Sequence, residues 1–202
     1  MKKHFEKDLP EGYTEVFHMN AKDKKTGLLF TLFSLILALI PLAITFPIYF
    51  CIKKLPPIDL TLYCLSLLGF CFSMILYVIC HELVHGIAYK ILTKQKLTFG
   101  MSWSCAYCGV PNIYVYRRAS IIALLAPFTL FSLIFIGLLV WFYSFNGWLY
   151  VGMAVLFAVH FGGCVGDLFM FFLFLFKYKD KTILMKDTGP EQFLYQKGIE
   201  VL

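Results

Sequence analysis

Polar and apolar positions fall in long blocks along this chain. Residues 1–26 are polar, four apolar stretches follow at about 27–51, 60–89, 120–143 and 148–176, and residues 178–202 are polar again. A hydrocarbon core about 30 Å thick needs roughly 20 helical residues, so each stretch predicts a membrane-spanning helix. Pro41 and Pro47 fall in the first, which is expected to kink or end early because proline removes a backbone donor. Lys53 to Asp59, with Pro56-Pro57, links the first two spans, and a tight turn at Asn146-Gly147 makes the last two antiparallel neighbours. Residues 97–116 break the helical pattern. Leu97, Phe99, Met101, Trp103, Cys105 and Tyr107 alternate with small or polar residues at the period of a strand, Gly109 to Asn112 reads as a turn, and Ile113 to Tyr116 completes a β-hairpin. Gly12 to Met19 has the character of a short strand.

Composition strengthens the membrane reading. Of 202 residues, 60% are hydrophobic and only 15% are charged; soluble domains have about 45 to 50% apolar and about 25% charged residues. The expectation is an all-α integral membrane protein, with a membrane domain over 27–177 between an N-terminal tail (1–26) and a C-terminal tail (178–202). No apolar core and cleavage site of a secretory signal opens the chain.

Charge orients it. Sixteen of the eighteen Lys and Arg residues lie in the N-tail, in 90–118 or from Lys177 onward, which by the positive-inside rule predicts both termini and the hairpin on the cytoplasmic side of the cell membrane. The net charge of +6 follows from this topology and from contact with anionic lipid headgroups, so nucleic acid is not invoked as a partner.

The second apolar stretch carries His81-Glu82-Leu83-Val84-His85. Residues four apart on a helix lie about 40° apart around its axis, so both imidazoles face one way and can share a metal. In HExxH metallopeptidases the histidines bind zinc and the glutamate, not a ligand, acts as general base. Leu60 to Cys80 is free of charged residues, and each ionisable group in a membrane helix costs roughly 2.5 to 3.5 kcal/mol unless partnered. The bland alternative is a polar cluster in which these side chains satisfy one another.

A catalytic zinc takes three protein ligands and a water, so one more ligand is wanted. Asp167 and His160 are the ionisable candidates in the fourth stretch. Counting about 1.5 Å per residue from Lys90 and Lys177, His81 and His85 lie about 14 and 8 Å deep, Asp167 about 15 Å and His160 about 26 Å. Asp167 matches the level of the motif, as a zinc ligand or as a salt-bridged or water-facing carboxylate; His160 reads as a hydrogen-bonded bundle histidine. Gly162, Gly163 and Gly166 allow close helix approach or local unwinding.

His81-Glu82-Leu83-Val84-His85-Gly86 in a second span, Ala126-Pro127 in the third and Gly166-Asp167 in the fourth resemble the zincin peptidase family of bacterial and archaeal integral membrane proteins, itself similar to the site-2 intramembrane zinc proteases. The resemblance runs over about Leu60 to Lys177. It implies His81, His85 and Asp167 as ligands of Zn²⁺ and Glu82 as the base. It departs from the site-2 pattern in that Asp167 is followed by Leu168, not glycine, and no soluble gating domain is present.

The seven cysteines imply no disulfide framework. Cys105 and Cys108 have CxxC spacing, yet strand alternation places them on opposite faces and no second pair exists, so we assign them neither a metal nor a redox role. Cys80, beside His81, reads as packing. The expectation is therefore an intramembrane zinc metallopeptidase acting on membrane-anchored or membrane-adjacent peptides in the lipid bilayer. Its rivals are a metal-binding transport or sensor protein with the same ligands and an inert membrane adaptor.

Overall fold

The structure, a computed structural model, describes residues 3–101 and 106–198. Asp23 caps the first helix, accepting from the Thr26 N–H at 3.1 Å, and α1 runs Lys24–Phe50. Helix α2 spans Leu60–Thr93; Asp59 caps its start by accepting from the Leu62 N–H at 2.9 Å, and Lys94, with φ of 58°, ends it. Helix α3 spans Arg117–Phe145. Asn146 then caps α4, Gly147–Gly163, by accepting from the N–H groups of Trp148 and Leu149 at 3.0 and 3.1 Å. After Cys164, α5 spans Val165–Phe172 and leads into a π-helical turn, Leu173–Lys177.

Helices α1, α2 and α3 are long and apolar enough to cross a membrane, and α4 with the bent continuation Val165–Lys177 makes a fourth when the pair is taken as one broken span. Large apolar side chains remain exposed along them, among them Leu32, Ile36 and Leu39 on α1 and Leu65, Phe72 and Ile79 on α2. Such a surface needs lipid to cover it. Two details differ from expectation. Of the two outcomes expected of α1, a kink or an early end, the early end does not occur: the helix continues through Pro41 and Pro47, with the Thr45 hydroxyl bonding the Pro41 carbonyl at 2.8 Å. The fourth stretch is interrupted at Cys164, among glycines that lower helix propensity. Gly162 is also a close approach, because a Cβ there would lie 2.8 Å from the Ser34 carbonyl oxygen.

The chain forms two compact units. One comprises Phe30–Cys80 and Phe128–Val165. Its core is largely aromatic, built on Tyr49, Tyr77, Phe135, Tyr150 and Phe157. Tyr150 buries its hydroxyl by donating to the Thr45 carbonyl at 2.8 Å.

The other comprises Met1–Leu29, His81–Pro127 and Gly166–Leu202, and among the described residues it holds all the strands. These are β1 (Phe5–Glu6), β2 (Tyr13–Asn20), β3 (Thr98–Met101), β4 (Ala106–Gly109), β5 (Tyr114–Tyr116), β6 (Leu184–Asp187) and β7 (Glu191–Lys197). Five form an antiparallel sheet in the order β1-β5-β6-β7-β2, and β3 pairs with β4 alone. Val115, Ile183, Leu184, Met185 and Leu194 are fully buried, as are Tyr89, Met170 and Phe174 from the helices. The two tails are thus strands of one sheet, with Tyr13 opposite Lys197 and Asn20 opposite Glu191. An all-α chain with one hairpin is an incomplete description. The hairpin also differs from its expected form. It pairs Thr98 with Gly109 and Met101 with Ala106, whereas Tyr114 to Tyr116 joins the larger sheet. Residues 102–105, with Cys105 of the CxxC spacing, lie outside the described residues.

Candidate metal centre

Helix α2 presents His81, His85 and Tyr89 at four-residue intervals, hence on one face. The two imidazoles are 7% exposed each and their ring centroids are 5.0 Å apart. Asp167, in the first turn of α5, meets both: its Oδ2 lies 3.4 Å from His81 Nε2 and 3.2 Å from His85 Nε2. One donor atom from each residue lies within 4.8 Å of the other two.

The hydrogen bonding of His85 fixes what this convergence means. Its Nδ1 is 2.9 Å from the Ala123 carbonyl, which only accepts, so the neutral ring carries its proton on Nδ1. The lone pair on Nε2 then faces a carboxylate oxygen. That contact is satisfied either by a proton on Nε2, which makes it an ion pair, or by a cation held between the two. The spacing suits zinc: a tetrahedral ion with bonds of about 2.0 to 2.1 Å holds neighbouring donors roughly 3.3 Å apart. A buried set of two imidazoles and one carboxylate, with one tautomer fixed by a main-chain acceptor, fits Zn²⁺.

Glu82 is half-buried on the same turn, and the backbone N–H of Cys108 in β4 hydrogen-bonds its carboxylate. Beneath it, the Tyr89 hydroxyl donates to Asp187 Oδ2 at 2.7 Å and the Gly189 N–H donates to Oδ1 at 2.9 Å. The Val110 N–H donates to the Asp187 main-chain oxygen at 2.8 Å, tying the end of β4 to β6. Burial pushes the Asp187 carboxyl up to about 6 against the pull of these donors. Burial also pushes the Cys108 thiol up to about 12, with the charges of Asp187 and Glu82 adding to it. A thiol so shifted is protonated at neutral pH.

The structure therefore brings His81, His85 and Asp167 to one point, with Glu82 beside them. Sequence reasoning missed Tyr89, Asp187 and Ala123. Tyr89 continues the four-residue spacing of the histidines, Asp187 lies in the polar tail far from any motif, and Ala123 contributes only its carbonyl. His160, in the helical unit, engages both ring nitrogens: Nε2 lies 3.2 Å from the Phe128 carbonyl and 3.1 Å from Ser132 Oγ, and Nδ1 lies 2.9 Å from the Tyr77 hydroxyl. This is a hydrogen-bonded bundle histidine, as expected.

An HExxH helix whose histidines meet a carboxylate from a distant helix defines a site of the zinc-metallopeptidase class. The chain belongs to the family described as "Putative zincin peptidase", whose profile matches residues 74–183. That match covers the motif, Ala123 and Asp167, and membership in a zincin family implies dependence on zinc. No curated protein and no solved structure matches the chain.

Proposed function

We propose that this protein is an intramembrane zinc metallopeptidase of the cell membrane, hydrolysing peptide bonds of membrane-anchored or membrane-adjacent substrates near the cytoplasmic face. The observation that carries the reading is the approach of both Nε2 atoms to a single Asp167 oxygen, at 3.4 and 3.2 Å. His81, His85 and Asp167 would hold the ion. Zinc in that position supplies Lewis-acid polarisation of the scissile carbonyl and an acidified water. Glu82 takes one proton as the water oxygen bonds to the carbonyl carbon, then delivers it to the leaving nitrogen as the C–N bond breaks. One water is consumed, and an acid and an amine result. The Cys108 N–H orients the Glu82 carboxylate, and the Ala123 carbonyl holds the His85 ring. A helical substrate must unwind locally, because its hydrogen bonds shield the carbonyl. The β3–β4 hairpin lies against the motif helix, since Gly86 faces Leu97 and Phe99, and supplies strand edges for an extended peptide. The lysine and arginine distribution supports cytoplasmic termini.

The test is bound metal in purified full-length protein. Near-stoichiometric zinc is expected in wild type and Glu82→Gln, with loss in His81→Ala and Asp167→Ala. A wild type that takes up no zinc on reconstitution would overturn the site. Zinc flux into proteoliposomes that persists in Glu82→Gln would favour transport over hydrolysis.

A further inference from the structure

In an α-helix each carbonyl accepts from the N–H four residues on, and proline has no N–H. Helix α3 contains Pro127. The Ala123 carbonyl therefore lacks the donor that residue 127 supplies in a regular helix. Ala123 is fully buried, and its carbonyl accepts from His85 Nδ1 at 2.9 Å. Two requirements meet here. A buried carbonyl deprived of its helical donor needs a partner, and a metal-binding imidazole needs an acceptor on its far nitrogen to fix its tautomer.

We propose that Pro127 is a positioning residue for the metal site, which by withholding an N–H reserves the Ala123 carbonyl for His85 Nδ1–H. The assignment rests on the zinc reading above. With its proton held on Nδ1, His85 turns a lone pair on Nε2 toward Asp167, 3.2 Å away. The opposite tautomer would place a hydrogen on Nε2, donate it to Asp167, and leave no lone pair for an ion. An N–H at position 127 would take one of the carbonyl's two lone pairs and draw the oxygen into the helix ladder, weakening its hold on His85 Nδ1–H, so that His85 would sample both tautomers.

A proline that merely bends α3 makes a different prediction, and Pro127→Ala in full-length protein separates the two. Proline within a helix is destabilising, so the alanine variant regains a helical bond and should melt, metal-free, no lower than wild type. Its zinc affinity, measured by chelator competition, should fall about tenfold or more, the usual consequence of losing a ligand's hydrogen-bond partner. Nitrogen-15 spectra of the histidines should show His85 as the Nδ1–H tautomer in wild type and as a mixture in the variant. Pro127→Val restores the same N–H with more bulk and repeats the test where the alanine variant does not purify. If wild type binds zinc and the variants match it in affinity and tautomer, the assignment fails while the zinc site stands. A loss of affinity accompanied by a lower melting temperature would likewise overturn it. If wild type binds no zinc, both readings fall.

Discussion

The Tyr89 hydroxyl donates to Asp187 at 2.7 Å, and neither side chain reaches solvent: they are 1% and 3% exposed. This bond ties helix α2, which carries the two motif histidines, to the end of β6. Asp187 pays for its burial with a carboxyl raised from 3.8 to about 6, so the folded protein holds that proton more tightly than the unfolded chain. The sign follows from linkage: the contribution is fully present below the unfolded value and is lost as pH rises through about 6. The loss is on the order of 3 kcal/mol. The melting temperature of wild type relative to Asp187→Asn should therefore decline between about pH 4 and about pH 6. A difference that stays flat across that range would show that burial does not shift this carboxyl.

Two glycines near the site should respond differently to alanine. A Cβ at Gly86 would lie 2.7 Å from Phe99 Cζ, the far end of a side chain that is 48% exposed and free to swing outward. At Gly109 it would meet main-chain atoms only: Gly189 N at 2.5 Å, the Thr188 carbonyl carbon at 2.7 Å and Asp187 O at 2.9 Å. Gly86→Ala should cost about 1 kcal/mol and Gly109→Ala about 3 kcal/mol or more, read from melting in detergent. Equal losses would mean that the β4 end and the β6–β7 turn separate easily.

Arg117 closes the segment that carries Asp167. Its Nε donates to the Tyr178 carbonyl at 3.0 Å, and its Nη2 donates to the Phe174 carbonyl at 2.8 Å, spanning the end of the π-helical turn. One planar group serves two carbonyls, a geometry a lysine ammonium does not reproduce. Arg117→Ala should lose about 2 kcal/mol, and Arg117→Lys should recover less than half of it. Full recovery with lysine would assign the effect to charge alone.

The elements that sequence reveals here are those written in local periodicity. The spacing of His81 and His85 needs only one helix to become a shared face, and Asn146 announces the start of α4 by its own side chain. Counting depth along an unbroken helix puts Asp167 at the level of the motif, whereas the helix breaks at Cys164 and bends by 44° there, which no local pattern announces. The sheet was hidden for a different reason. Tyr13 pairs with Lys197 and Phe5 with Val115, partners from opposite ends of the chain or from beyond two helices, and no window of sequence contains both. Alternation in 97–109 was legible, but nothing local says that Tyr114 to Tyr116 turns away to β1 and β6.

Asp167 serves two imidazoles through one oxygen, and this makes its role separable from theirs. A ligand that binds only the folded state stabilises it by about 2.7 kcal/mol at a hundredfold excess over its Kd. Zinc titrated into metal-free wild type should therefore raise the melting temperature, and Glu82→Gln should keep the increment because Glu82 is not a ligand. Asp167→Ala should lose it, since two histidines one turn apart leave the ion half-liganded. Zinc stabilisation of Asp167→Ala equal to that of wild type would remove the carboxylate from the ligand set.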